Sequence, residues 1–120
     1  LGLQKTLLGV DVVEGKKLVA NDVNEAQLIK IMDGRKARII VTPIGGQGYI
    51  FGRGNQQISP EIIRRVGSNN IIVIATPSKI HSLMLKPLLV DTGDAEVDQR
   101  LRGYRKVVTG YGEDTVCKVL

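Results

Sequence analysis

The stretch that decides the fold is residues 70–76, Asn-Ile-Ile-Val-Ile-Ala-Thr, an unbroken apolar run rich in β-branched side chains. Such a run is typical of a strand that is buried on both faces of a parallel sheet. Pro77 follows the run and opens a short helix that extends to Leu85. Residues 37–42, Ala-Arg-Ile-Ile-Val-Thr, predict a second strand of the same kind.

The residues before this pair of strands predict a strand pair and a helix. Segments 6–13 and 17–23 are predicted strands that are joined by a turn at Glu14-Gly15. The first residues of the chain resemble the end of a helix, so we expect the chain to be a segment of a longer protein. A helix follows that is capped by Asp22 or Asn24 and ends at Gly34. Its predicted inward side chains are Ala26, Leu28, Ile29 and Met32.

The residues after 42 continue the alternation of helices and strands. Ser59 and Pro60 begin a helix that ends at Gly67. Further elements are predicted as strands at 88–90, 106–109 and 115–119, and as a helix at 95–102. We therefore expect one α/β domain over 1–120, three layers deep, with a mostly parallel sheet, helices on both faces and an antiparallel edge.

Composition narrows the class of protein. Apolar residues make up 42% and charged residues 24% of the chain, which is normal for a globular domain. The net charge of +5 favours anionic partners, while an aromatic content of only 3% leaves little for base stacking. The only cysteine, Cys117, excludes an internal disulfide, and no apolar run reaches the roughly 20 residues of a membrane helix. We expect a cytoplasmic protein that binds neither nucleic acid nor membrane.

Four apolar runs end in a threonine that is followed by proline or glycine. These residues are Thr42, Thr76, Thr92 and Thr109. Because the carboxyl ends of parallel strands share one edge of a sheet, and ligands of open α/β sheets bind outside that edge, the four hydroxyls are predicted to face one crevice. Taken singly, each threonine is equally a residue that ends a strand and starts a turn.

A glycine-rich stretch between Pro43 and Ile58 is the second candidate for ligand binding. Glycine lets backbone N–H groups approach an anion closely, and arginine donates two hydrogen bonds to a phosphate. The candidate residues are Gly45, Gly46, Gln47, Gly48, Arg53, Gly54, Asn55 and Gln56. The alternative is a tight turn and a bulge around Tyr49 and Phe51, with both rings packed inward.

The third candidate is the group Asp91-Thr92-Gly93-Asp94. Its two carboxylates can hold Mg²⁺ through water, orient a ribose or act as a base. The alternative is that Thr92 or Asp94 caps the helix that carries Val97 and Leu101. An aspartic protease also has Asp-Thr-Gly, but too few residues follow Asp91 to build its β-rich body. The arginines at 64, 65, 100, 102 and 105 and Lys106 are interpreted as solvated faces, with contact to a phosphate as the alternative.

Several of these segments together resemble the C-terminal region of the ATP-NAD kinase-like family, which includes the AcoX proteins of acetoin catabolism. The resemblance is carried by KTLLGVDVV, LVANDVNEAQL, VTPIGGQGYIFGRGNQQISPEIIRRVG, NIIVIATPSK and LLVDTGDAEVDQRLRGYRKVVTGYGE, which cover nearly the whole chain. Its most specific part runs from Thr42 to Gln57 and on through Ser59-Pro60-Glu61. The resemblance implies phosphorylation of NAD to NADP with ATP or polyphosphate.

The resemblance also implies that catalysis depends on residues of an N-terminal domain. The family's Gly-Gly-Asp-Gly motif is not in these residues and would lie in an N-terminal domain, so this piece alone is expected to be inactive. The Thr-Pro-Thr-Gly-Ser-Thr-Ala-Tyr stretch of ordinary NAD kinases is also not found. We expect the N-terminal domain and further copies of the chain as partners. Two alternatives stay open, a phosphosugar isomerase or sensor that would use Asp91 or Asp94 as its base, and a non-catalytic oligomerisation domain.

Overall fold

The computed structural model describes residues 1–5, 10–43, 48–52, 58–83 and 86–120. Its strands are β1 (Gly2–Lys5), β2 (Val10–Glu14), β3 (Lys17–Val23), β4 (Arg38–Val41), β5 (Tyr49–Gly52), β6 (Ile71–Ile74), β7 (Leu89–Asp91), β8 (Gly103–Gly110) and β9 (Glu113–Val119). Its helices are α1 (Glu25–Met32), α2 (Pro60–Val66), α3 (Pro77–Ser82) and α4 (Ala95–Leu101), with a single 3₁₀ turn at Ser68–Asn70. The predicted α/β class is confirmed.

Seven strands form one mixed sheet in the order β3-β2-β1-β4-β6-β8-β9. The neighbours from β1 to β8 are parallel, while β2, β3 and β9 add antiparallel edges. The run that begins at Asn70 supplies β6, which lies between β4 and β8 as its composition predicted. Within it, Val73 is buried, but Ile74 keeps 39% of its surface exposed, so burial on both faces is incomplete at the carboxyl end of the strand.

A second, two-stranded sheet pairs β5 with β7 in parallel. It joins the edge of the large sheet, because Leu88 N–H donates to the Lys118 carbonyl at 2.8 Å and Leu120 N–H donates to the Leu88 carbonyl at 2.9 Å. The glycine-rich stretch between Pro43 and Ile58 thus contains a strand. Phe51 on that strand is fully buried, and the β5–β7 register shifts between Tyr49 and Phe51, as expected for the bulge alternative.

The helix boundaries follow from their capping residues. Asn24 accepts from the Gln27 N–H while Gln27 accepts from the Asn24 N–H, both at 2.9 Å, which forms a capping box. Ser59 accepts from the Ile62 N–H at the start of α2, and Pro60 occupies its first turn. On α1, Leu28 and Met32 face the core as predicted, but Ala26 is exposed.

The amino terminus differs from the prediction. Gly2–Lys5 is a strand and not the end of a helix, since it pairs antiparallel with β2 and parallel with β4. A four-residue strand has too few positions to show a hydrophobic period, so its two neighbours decide its conformation. The buried side chains of both sheets and of α1, α2 and α4 form one apolar cluster. Among the described residues, no helix is both long and apolar enough to cross a membrane.

Candidate functional site

The carboxyl edge of the large sheet carries three of the four predicted threonines. Thr42 follows Val41, which pairs with Val73 on the neighbouring strand β6. Thr76 lies just beyond the end of β6, and both threonine side chains are exposed. Thr109 follows Val108 on β8, which pairs with Ile74. The predicted grouping at one edge is confirmed for Thr42, Thr76 and Thr109, and their contact with a ligand stays a prediction.

Thr76 also has a structural role at this edge. Its hydroxyl oxygen accepts a hydrogen bond from the Lys79 N–H at 3.1 Å and so caps α3, and Pro77 occupies the first turn. The hydroxyl proton of Thr76 is still available for donation, because the cap uses only a lone pair of the oxygen. Pro43, which directly follows Thr42, is buried.

Thr92 lies at the opposite edge of the sheet, near the amino end of β8, so the prediction that all four threonines share one crevice is wrong. Leu88, just before β7, pairs in parallel with Val119 of β9, and Val119 pairs with Gly103 at the first position of β8. Strand β7 therefore runs opposite to β8 and leaves the sheet at the amino end of β8. A sequence pattern shows where a strand ends but not which way that strand runs relative to the others.

The turn that follows β7 is held together by its own side chains. The Thr92 hydroxyl donates to Asp98 Oδ1 at 2.6 Å, and the same carboxylate oxygen accepts from the Thr92 N–H at 3.0 Å. The Thr92 hydroxyl oxygen in turn accepts from the Asp94 N–H at 3.2 Å. Asp98 was not singled out from the sequence, although its position one turn into the predicted helix is compatible with a bond back to the loop. The network fixes the path from β7 into α4.

Asp94 is the N-cap of α4, as the capping alternative predicted. Its Oδ1 accepts from the Val97 N–H at 3.1 Å, and its Oδ2 forms an ion pair with Arg64 of α2. The hydrogen bond from the Val97 N–H lowers the pKa of Asp94, and the contact with Arg64 lowers that pKa further against a partial opposing effect of desolvation. A general base works best with a pKa near the operating pH, so this carboxylate is poorly suited to the base of an isomerase.

Gly48 and Asp91 lie at opposite ends of the small sheet, Gly48 just before β5 and Asp91 at the end of β7, next to Thr92. The Leu89 N–H donates to the Gly48 carbonyl at 3.0 Å, and Gly52 pairs with Asp91 at the end of β5 and β7. Asp91 is exposed. Seven other predicted ligand residues lie outside the described part of the chain, namely Gly45, Gly46, Gln47, Arg53, Gly54, Asn55 and Gln56.

The basic residues do not all lie on solvated faces. Arg65 pairs with Glu61 and Arg100 with Glu96 at exposed positions, which is the expected arrangement. Arg105, in contrast, is half-buried and donates to the Leu101 carbonyl at 3.1 Å and to the Ser68 carbonyl at 2.9 Å. Burial lowers the pKa of Arg105, although an arginine remains protonated at neutral pH. The sequence could not reveal this role, because it depends on two helix ends meeting at β8.

The described residues contain no group of three or more His, Cys, Asp or Glu side chains placed to hold a metal ion. The carboxylates of Asp94 and Asp98, close to Thr92, accept hydrogen bonds from the protein itself. At the carboxyl edge, the exposed residues Thr42 and Thr76 offer hydroxyl groups for hydrogen bonding. Threonine hydroxyls suit the oxygen atoms of ribose and phosphate groups.

Comparison with known protein families places this geometry in context. The family model of the ATP-NAD kinase C-terminal domain matches residues 1–119. Comparisons with curated proteins and with solved structures found no match. The match covers both sheets and all four helices, and it agrees with the resemblance that the glycine-rich segment and the LLVDTGD segment carry. The chain belongs to the ATP-NAD kinase C-terminal domain family.

Proposed function

We propose that this domain takes part in the phosphorylation of NAD by ATP, and that it contributes the carboxyl edge of β4 and β6 to a nucleotide site completed by an N-terminal domain. In this proposal, Thr42 and Thr76 donate hydrogen bonds to ribose or phosphate oxygens. The glycine-rich residues between β4 and β5 follow Thr42 directly in sequence and supply backbone N–H groups. The net charge of +5 supports an anionic ligand.

The observation that carries the proposal is that the connections after β1 and after β4 lead to opposite sides of this strand pair. These strands are parallel neighbours, with Leu3 paired to Ile39. After β1 the chain continues to β2 on one side of the pair. After β4 it passes through β5 and α2 and then returns as β6 on the other side. In open α/β sheets, ligands bind outside the carboxyl ends of strands at the point where such connections separate. Thr42 is exposed at that point.

The threonines would position a substrate and not react with it. A hydroxyl contributes orientation and a hydrogen bond, whereas phosphoryl transfer needs charge stabilisation and an activated acceptor hydroxyl. Those functions fall to the N-terminal domain in this proposal. Mg²⁺, which accompanies ATP in phosphoryl transfer, would be held mainly by phosphate oxygens.

The test uses Thr42→Val in the full-length protein, because valine keeps the shape of threonine and removes the hydroxyl. We expect the KM for NAD or for ATP to rise about three- to tenfold, as for the loss of one hydrogen bond, with an unchanged thermal midpoint. The matched control is Thr115→Val, since Thr115 lies on β9, which is the third strand away from β4 in the sheet. An unchanged KM for both substrates in Thr42→Val would reject the role of this edge.

A further inference from the structure

A pocket of about 390 Å³ opens beside strand β9, on a part of the molecule that the proposed nucleotide edge does not use. Its walls include Ile80 and Leu83 of the α3 region, Pro87, and Val116 of β9. Sites for small molecules have volumes of roughly 300–1,000 Å³ and mainly apolar walls with a few polar groups. The pocket has the size and the wall chemistry of a site for a small, largely apolar molecule.

The backbone at one wall of this pocket is an open strand edge. The Lys118 carbonyl and the Leu120 N–H bond outward to Leu88, so alternate residues of β9 present their backbone groups to this side. Val116 lies two residues before Lys118 on the same strand, so its N–H and C=O also point outward. Of the described strands, none pairs with β9 at Val116 on that side. The pocket therefore offers a backbone N–H donor within an apolar wall.

Two lysines give the pocket a positive rim. Lys86 and Lys118 both line it and are both exposed. Within the described residues, neither lysine lies in an ion pair, whereas Lys106 on the adjacent strand faces Asp114 at 3.8 Å. Val116 is 64% exposed and Leu120 is 47% exposed, so apolar surface is left uncovered next to this charge. An apolar wall with a cationic rim is complementary to an amphipathic anion.

We propose that this pocket binds a small amphipathic carboxylate, such as a medium-chain fatty acid. The alkyl chain lies against Ile80, Leu83 and Val116. The carboxylate accepts from the ammonium groups of Lys86 and Lys118 and from the outward N–H of Val116. The binding is reversible and separate from the site at Thr42, because the pocket lies along β9 and not at the carboxyl end of β4.

Cys117 gives a direct readout of occupancy. It lines the pocket and is half-buried, so a bound molecule shields its thiol. It is the only cysteine of the chain, and cleavage after Lys106 and Lys118 places it in the peptide 107–118. The experiment measures the alkylation rate of Cys117 by iodoacetamide, read by mass spectrometry of the peptide that carries it. The full chain is titrated with octanoate, and in parallel with 1-octanol and with acetate.

We expect octanoate to slow alkylation in a saturable manner, and 1-octanol and acetate to need at least about tenfold higher concentrations for the same protection. In Lys86→Gln/Lys118→Gln, the octanoate concentration for half-protection should rise about tenfold. The matched control, Lys16→Gln/Lys30→Gln, removes the same net charge at exposed positions elsewhere and should leave that concentration unchanged. Equal protection by octanoate and 1-octanol, unchanged protection in the Lys86/Lys118 variant, or no protection by octanoate would each overturn the proposal.

Discussion

Gly52 and Asp91 pair at the ends of two parallel strands, and the backbone of Asp91 occupies the space where a side chain at position 52 would begin. Gly52 also has a φ of +82°, in the left-handed region that favours glycine. The close approach fixes β5 against β7.

Gly52→Ala should therefore be among the most destabilising single substitutions in this chain. A Cβ cannot be accommodated without moving the Asp91 backbone, so we expect a loss of at least about 3 kcal/mol in the free energy of unfolding. Gly112→Ala is the control, because Gly112 has a similar φ of +69° but open space around its Cβ position. The control should cost only about 1–2 kcal/mol. Urea unfolding measures both, and equal losses would contradict the packing argument.

Asp94 should affect stability through its cap and through its ion pair with Arg64, and two variants separate these effects. Asp94→Asn keeps a capping oxygen and loses the charge, whereas Asp94→Ala loses both. We expect the thermal midpoint at pH 7 to fall in the order wild type, Asn variant, Ala variant. Asp114→Asn, which removes an exposed carboxylate of β9, should change the midpoint least. An Ala variant as stable as the wild type would show that the cap contributes nothing.

The contribution of Asp94 should also depend on pH. Its pKa is lower in the folded protein than the ordinary carboxyl value near 4, so its stabilising effect is complete above that ordinary value. The effect is lost as the pH falls through the lower folded value. The difference in thermal midpoint between wild type and Asp94→Ala should thus narrow when the pH is lowered from 6 to below 3. A difference that widens on acidification would contradict the lowered pKa.

Arg105 should be required for the junction of α4 with the 3₁₀ turn before β6. Arg105→Met keeps most of the side-chain volume but leaves the Leu101 and Ser68 carbonyls without these donors. We expect a loss of about 1–3 kcal/mol in the free energy of unfolding. The control is Arg102→Met, since Arg102 is exposed and its guanidinium bonds only to Gln99 among the described residues. A loss no larger than in the control would show that the two bonds are not structural.

Cys117 should react slowly with alkylating reagents in the absence of any ligand. Burial raises the pKa of its thiol, so a smaller fraction is thiolate at a given pH than in an exposed cysteine. The alkylation rate should rise with pH through a midpoint above the ordinary thiol value of about 8.5. The control is Val116→Cys in a Cys117→Ala background, because position 116 is 64% exposed. Identical pH profiles for the two thiols would contradict the effect of burial.

The local structure of this protein could be predicted from its sequence to a large extent. The helices at Ser59-Pro60 and at Pro77 start where the sequence predicts them. The β-branched run at 71–74 forms a central strand because such side chains pack well within a parallel sheet. The cap formed by Asp94 was predicted as one alternative, and the hydrogen bond that it accepts from the Val97 N–H confirms the cap.

The relations between distant segments required the tertiary structure. Gly2–Lys5 is a strand only because β2 and β4 lie on either side of it, and Arg105 is half-buried only because the ends of two helices meet there.

In the candidate site, too, local features could be predicted from the sequence, whereas the relative positions of the residues required the tertiary structure. The sequence by itself determined which runs end in Thr42, Thr76, Thr92 and Thr109, since hydrophobic pattern and turn residues act locally. Only the tertiary structure decided that Thr92 lies on the opposite side, because strand direction is set by backbone pairing between β7, β9 and β8. Pairing of this kind joins residues far apart in the chain, and side-chain patterns within one segment carry no record of it.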